Sequence, residues 1–479
     1  MKFVLLWTDL ALWLMAAAVV AYAWRVKAQA NLRTTWRRVL RDPVAASAGV
    51  VMALFLLVTL VDSIHVRLAL PSDGGAPVYD TRTLSALDLL LARQLDMREV
   101  SYSLPLGTHG FNKESIIEAG GAVRRDYPRL QFGGAHLADP DSQWAGDVAR
   151  RASLGLAGGL LAIALMVALT AAALARHHDG WRGALLDLAV DRTFYPVRAM
   201  LTTLAVIALL SGMAIALMPH YHVFGTDRTG NDVLVQALKS VRTAFVIGAL
   251  STLATLPIAL LLGVLAGYYK GWVDEAIQYV YTTLSSVPNV LLIAACVLMV
   301  QVFLDKNPDL FETAAERSDL KMLMLCLILG LTGWAGLCRL VRAETLKLRE
   351  LDYVQAATAF GVGDLAIMAR HIVPNVMHLV LITVVLSFSE LILYEAVLTY
   401  VGVGVDPVMS SFGGMINLAR AEMSRDPVVW WSFAAAFGFM VGLVLAANLF
   451  ADGVRDAFDP KARSARPRVF LRRKGAADA

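Results

Sequence analysis

The sequence predicts an all-α protein, a polytopic transmembrane helical bundle of about nine spans. Three observations lead there. The chain of 479 residues is 57% hydrophobic and 17% charged, with a mean hydropathy of +0.59, whereas soluble domains carry about 25% charged residues. Its apolar residues are gathered in long uniform runs, unlike the alternating ten-residue strands of an outer-membrane barrel. Its basic residues collect in particular connections between those runs, and the net charge of +4 is only a weak bias.

Roughly 20 apolar residues cross a bilayer. The runs long enough are 3–24, interrupted only by Asp9, then 44–61, 152–175, 199–218, 243–269, 276–304, 322–338, 376–400 and 427–451. The run 322–338 is short, 276–304 holds Pro288, and 376–400 holds Glu390 and Glu395. Pro257 and Pro288 are candidate kinks. Trp7, Trp24, Tyr268, Tyr269, Trp272, Trp430 and Trp431 sit near run ends, where aromatic side chains anchor at the interface.

Sidedness follows from Lys and Arg in the short connections. Residues 25–43 carry Arg25, Lys27, Arg33, Arg37, Arg38 and Arg41 against Asp42. Residues 176–198 carry Arg176, Arg182, Arg192 and Arg198, and 339–371 carries Arg339, Arg342, Lys347, Arg349 and Arg370. The tail holds Arg463, Arg466, Arg468, Arg472, Arg473 and Lys474. Alternating spans place all four on one side, the cytoplasm, with the C-terminus inside and the N-terminus outside. Lys2 and Ala21-Tyr22-Ala23 also fit a cleaved signal peptide. The long apolar core and the basic residues right after it favour an uncleaved span.

The chain then divides into an N-terminal span (1–24), a basic segment and span (25–61), an outward segment (62–151), a further pair of spans (152–219), a core (220–461) and a basic tail (462–479). The outward segment has turn-rich 69–77, a helical-looking 84–95 and Gly-rich 119–134, and is long enough for a small subdomain. Its mixed charge does not suit a nucleic-acid surface. Leu106-Gly107-Thr108-His109 partly echoes Phe224-Gly225-Thr226-Asp227. Further outward loops lie at 219–242, 305–321 and 402–426, the last with a short helix expected at 415–422.

Residues 351–374, LDYVQAATAFGVGDLAIMARHIVP, form a polar island between two spans. Residues 352–360 are Ala-rich and read as helix. Gly361 and Gly363 suit the left-handed conformation that closes it, and Asp364 is placed to N-cap a second helix. Leu365, Met368 and Ile372 share one face. Pro374 lacks an N–H and breaks or kinks that helix. By shape alone this is a docking loop, a generic amphipathic loop or a DNA-reading helix-turn-helix.

The register of this island resembles the EAA loop of ABC-importer permeases, a Glu-Ala-Ala, a Gly after three intervening residues and a Pro thirteen further on; here Gln355-Ala356-Ala357, Gly361 and Pro374 hold it. Gln355 departs from the usual Glu, keeping a carbonyl but losing the charge. FGTDRTGNDVL (224–234) resembles the LGTDxxGRDVL of the C-type subunit of dipeptide, oligopeptide and nickel permeases, with Asn231 where Arg is usual. GYYKGWVDE (267–275), RHIVPN (370–375), YEAVLTYVGVGVDP (394–407), SFGGMI (411–416) and NLFADGVRDAFDPK (448–461) follow in the same order. The resemblance covers about 220–461, and 36–61 corresponds to the family's first span. The span 3–24 and the pair 152–175 and 199–218 are additions.

The resemblance implies a type I ABC-importer permease core in a bacterial inner membrane, forming half of a pathway for peptides or similar small solutes. Gln355, Ala356, Ala357, Gly361, Asp364 and Pro374 would couple it to an ATPase. The implied partners are a second permease subunit, two ATP-binding subunits, an extracytoplasmic solute-binding protein and membrane lipid, with no nucleic acid. Nickel complexes or other solutes, and a non-transport scaffold that keeps the fold, are the alternative functions. No GxxxxGK[ST] phosphate loop is present, so ATP and Mg would be bound by the partner ATPases, and no cofactor is expected in this chain. Glu390 and Glu395 are candidates for the translocation pathway, since a carboxylate within a span faces a partner or a wet cavity; structural pairing is the alternative. His177-His178, beside Asp179, and His220-x-His222 lack converging ligands at metal spacing. Cys296, Cys326 and Cys338 lie in or at the ends of apolar runs and read as packing residues. No nucleophile elbow appears, and enzyme activity is not expected.

Overall fold

The computed structural model describes residues 2–70, 79–117, 123–175, 180–191, 193–311 and 313–458. The fold is a helical bundle with two small sheets at one end. Strand β1 (Lys2–Val4) precedes the first long helix, α1 (Trp7–Ala28), so the apolar run at 3–24 is part strand. Amphipathic α2 (Ala30–Val39) leads to α3 (Pro43–Asp62). There Asp42 caps the Ala45 N–H at 2.8 Å and Pro43 fills the first turn, where no N–H is needed.

The segment expected to face outward follows as β2 (His65–Arg67), β3 (Leu84–Ser85), α4 (Ala86–Leu90) and α5 (Ala92–Asp96), then the hairpin β4 (Glu114–Ile117) and β5 (Val123–Asp126). The expected helix 84–95 is thus two short helices. Ser85 ends the strand and starts the first by a reciprocal cap with Asp88. Strand β2 lies between β1 and β3, antiparallel to both. Helix α6 (Pro140–Ala175), α7 (Gly180–Ala189) and α8 (Val197–Leu217) come next. Long helices α6 and α8 form a close hairpin. A Cβ on Gly155 would stand 2.5 Å from the Gly212 carbonyl oxygen, so the two backbones touch there.

The core begins at α9 (Val233–Tyr269), whose N-cap Asp232 accepts from the Leu234 and Val235 N–H groups. Pro257 sits within α9 without ending it, whereas Pro288 separates α10 (Gly271–Ser286) from α11 (Asn289–Lys306). The apolar run 276–304 is therefore two helices, because an extended residue, Val287, precedes the proline. The short run 322–338 is the middle of α12 (Ala314–Arg349), a 36-residue helix capped by Thr313. Then come α13 (Asp352–Ala359), α14 (Asp364–Ile367), α15 (Val373–Val401), α16 (Phe412–Glu422) and α17 (Trp431–Phe458). Gly402, at φ +90°, closes α15 in the left-handed region.

Among the described residues, nine helical segments are long and apolar enough to cross a membrane. At about 1.5 Å per residue, α9 and α12 are far longer than the ~30 Å hydrocarbon layer, so both project beyond it. They run parallel in close contact. Gly330 would place a Cβ 2.5 Å from that of Ala254, and Gly263 would place one 2.8 Å from that of Val341. Around them α3, α15 and α17 bury the main cluster of Val241, Phe245, Ile392, Phe412, Trp431 and Leu443. By contrast α1, α6 and α8 bury few side chains.

Candidate functional site

The island at 351–374 sits at the C-terminal ends of α9 and α12. Val354, Ile367, Met368 and Ile372 are buried against Val264, Tyr268 and Val341. Gly361 takes φ +77° and ends α13. Gly363, in extended geometry, is the N-cap of α14. The expected cap, Asp364, is displaced into the first helical turn, because its carboxylate accepts from the Tyr268 hydroxyl at 2.8 Å. The expected apolar face is also shifted. Leu365 is 76% exposed, and Ile367 takes its place inside. A π turn at Met368–Ile372 absorbs the change of phase, and Pro374 enters the first turn of α15 without breaking the helix.

Gln355 is exposed; its Nε2 donates to the Glu350 carbonyl at 3.2 Å, near the end of α12. Ala356 is exposed, and Ala357 is half-buried against the core. Lys270 Nζ meets Glu350 Oε1 at 2.7 Å. Two side chains of Asp274 and Arg342 pair in bidentate fashion at 2.5 and 2.6 Å, joining α10 to α12. The loop is therefore held to α9, α12 and α15 together. It presents Phe360, Val362 and Leu365 outward, with Phe360 87% exposed.

Glu390 and Glu395 separate. Glu390 lies on the exposed side of α15, while Glu395 is fully buried and accepts from the Thr399 hydroxyl at 2.9 Å. The described residues contain no group of three or more His, Cys, Asp or Glu placed to hold a metal. The His220 ring meets that of His136 at a tilt, with centroids 4.7 Å apart. His177, His178 and Asp179, and the tail at 462–479, lie outside the described residues. Cys326 and Cys338 are buried and Cys296 half-buried, all as free thiols.

At the other end of the bundle is a cavity of about 620 Å³. Its walls come from α5, the 224–232 loop, α9, α12 and the 402–411 loop, with Arg98, Asp227, Gln236, Lys321 and Asp406 among the lining residues. Sequence reasoning missed how the segment between α3 and α6 completes this wall. Glu99 accepts backbone N–H bonds from Gln131, Phe132 and Gly133 at 2.8–3.0 Å. His222 Nδ1 lies 2.9 Å from Asp232 Oδ2, and its Nε2 lies 3.7 Å from Glu99. Burial opposes ionisation of both Glu99 and His222. The contacts win: His222 rises to about 9 under Asp232 and Glu99, and Glu99 falls to about 2 under His222 and the three N–H groups.

A second tie joins Tyr102 to Glu422 of α16 at 2.7 Å. Burial first, then that hydrogen bond, lifts Tyr102 to about 12. The 224–232 loop admits this close approach only because Gly230 has no side chain. A Cβ there would stand 1.8 Å from the Glu99 carbonyl oxygen. The two sequence echoes are neighbours in space: the Leu106 N–H donates to the His222 carbonyl and the Thr226 N–H to the Ser103 carbonyl.

Comparison with known proteins agrees with this architecture. A family model described as "Binding-protein-dependent transport system inner membrane component" matches residues 259–464. The chain is 31% identical over 296 residues to the oligopeptide transport system permease protein OppC of Mycobacterium tuberculosis, covering 58% of this chain and 95% of that one. It is 32% identical over 243 residues to the glutathione transport system permease protein GsiD of Pectobacterium atrosepticum, covering 51% and 74%. It is 31% identical over 242 residues to OppC of Escherichia coli, covering 50% and 73%. These families are non-enzymatic transport components of the inner membrane. The chain belongs to the binding-protein-dependent transport system inner membrane components, as a multi-pass ABC-importer permease subunit with an extra N-terminal region.

Proposed function

We propose that this subunit forms half of an inner-membrane pathway for peptides or similar small solutes, and that the 351–374 loop is where a separate ATP-binding subunit docks. The observation that carries this is the rigid, apolar outer face of that loop. Phe360 and Leu365 are large, apolar and exposed on a segment that is otherwise fastened to three core helices. An uncovered face of this kind calls for a protein partner. Small Ala356 and Gly361 let that partner approach the backbone. A push on α13 and α14 then reaches α15 through the continuous π turn, α9 through Tyr268 and α12 through Glu350.

In this reading the loop faces the cytoplasm, and residues 63–139 and the N-terminus face outward. ATP and Mg belong to the partner ATPases, and a solute-binding protein delivers cargo to the outward end. A second permease subunit covers the exposed side of α15, where Glu390 faces either that partner or the pathway. The peptide cargo is supported by the resemblance to oligopeptide permeases; nickel complexes or other solutes use the same architecture. The outward subdomain is what favours a scaffold instead. Co-purification and a cargo screen separate these readings. A transporter brings down an ATP-binding subunit and shows peptide-stimulated ATP hydrolysis after reconstitution. A scaffold brings down no ATPase, and substitutions in the loop change nothing.

A further inference from the structure

The first span reaches into the core at the end opposite the coupling loop. Asp9 Oδ1 accepts from Arg242 Nη2 of α9 at 2.6 Å, and Asp9 Oδ2 lies 2.7 Å from His65 Nδ1 of β2. The Thr8 N–H donates to Asp319 Oδ2 of α12 at 3.0 Å, and the Thr8 hydroxyl donates to the other oxygen of that carboxylate. Thr8, Asp9 and Asp319 are 0%, 1% and 1% exposed, and Arg242 is 5% exposed. Strand β1 pairs residue by residue with β2, so the chain ahead of α1 is fixed as well. A leader that is cut away has no reason to supply the buried counter-ion of a core helix. Arg242 and Asp319 belong to the two central spans. Without Thr8 and Asp9, both would be left buried with fewer partners, which is costly for charged groups.

Beside this cluster lies a recess of about 160 Å³ whose lining includes Leu6, His65, Arg242, Ser318 and Asp319. It adjoins the larger cavity, because Lys239, Val408, Met409 and Ser410 line both. The recess is thus continuous with the cavity that lies between the outward loops. Of the N-terminal segment, Leu6 forms part of its wall.

We propose that the first span is retained in the mature protein and clamps α9 to α12 beside this recess. Thr8 and Asp9 hold the two helices together, and Leu6 walls one side of the recess. Asp9 is a positioning residue, acting through Arg242. The clamp belongs to this subunit itself and needs no partner chain.

The test uses the full chain with its co-purifying subunits. Intact mass shows whether residues 2–28 are present. Cys296 and Cys338 are replaced by Ser, Ser318→Cys reports on the recess, and native Cys326, buried deeper in the same core, reports on the whole fold. A membrane-impermeant maleimide is the probe. The expected result is an intact N-terminus and slow labelling at the reporter. Asp9→Ala should raise that labelling at least tenfold with Cys326 still protected. Asp9→Asn should raise it less than Asp9→Ala, because the amide oxygen still accepts from Arg242 Nη2. A mature chain lacking the first span overturns the proposal. So does an unchanged labelling rate in Asp9→Ala, or labelling of Cys326 in step with the reporter, which would make Asp9 a support of the whole fold. None of these readouts uses cargo or nucleotide, so they stand apart from the transport function proposed above.

Discussion

Single charged residues hold the segment between α3 and α6 on the core, and the Glu99–His222–Asp232 contact is the clearest case. His222 is raised to about 9 from an ordinary 6.5, so its stabilisation is complete below 6.5 and is lost as pH rises through about 9. Glu99 is depressed to about 2 from 4.5, so its contribution is present above 4.5 and is lost as pH falls through about 2. The clasp is strongest between those two ordinary values. His222→Gln leaves two buried carboxylates with a weaker partner, at a cost of about 1–3 kcal/mol. In thermal unfolding of the purified protein, its deficit against the wild type should be greatest near pH 5–6 and should close by about pH 9.5. A gap that widens with pH would sink this account. The two intramembrane carboxylates should also part company. Glu395→Gln keeps the Thr399 hydrogen bond and removes no ion pair, so transport should be close to wild type. Glu390→Gln alters the exposed side of α15 and should lower transport several-fold, measured as cargo uptake in proteoliposomes. Both carboxylates were legible in the sequence as charges within a span. Which one is buried was not, because that depends on which face α15 turns to α9 and α16.

At the scale of elements stands the loop proposed to dock the ATP-binding subunit. The 351–374 loop was legible because Ala, Gly and Pro punctuate it: Gly361 does close α13 at φ +77°. Its second helix was misread at Asp364 and Leu365, since a hydroxyl from α9 and a π turn reset cap and phase, and neither is a local property of the sequence. The corrected face makes a sharper prediction. Phe360→Asp or Leu365→Asp should reduce the co-purifying ATP-binding subunit strongly, read by densitometry, while the permease still accumulates in the membrane. Gly361→Ala has open space around it but must adopt the left-handed region, at about 1–2 kcal/mol; it should weaken docking less than either aspartate. In the α6–α8 hairpin the constraint is steric. Gly155→Leu meets backbone that cannot yield, and overpacking of this kind costs about 1–3 kcal/mol. It should lower the unfolding midpoint and expose the hairpin to protease.

At the scale of the whole molecule, strand β1 lies beside β2 and β3, so the N-terminus shares an end with the described residues between α3 and α6, and the 351–374 loop occupies the other. An externally added antibody or protease should reach a tag before Lys2 in intact spheroplasts. A tag placed at residue 362 should be reached only after the membrane is opened. Reversal of the two would refute the outward assignment of the N-terminus. The sequence by itself determined the helical membrane class, nearly every span and the ordered motifs of the permease core. These follow from run length, composition and local punctuation, which act within one segment of chain. Only the tertiary structure decided which charges are partners. Asp9 with Arg242, Thr8 with Asp319, Glu99 with His222 and Tyr268 with Asp364 all join residues far apart in the chain. The first three exist because folding places polar groups in one dry space, where they must satisfy each other, the last because folding brings the loop to the end of α9, and no periodicity records either.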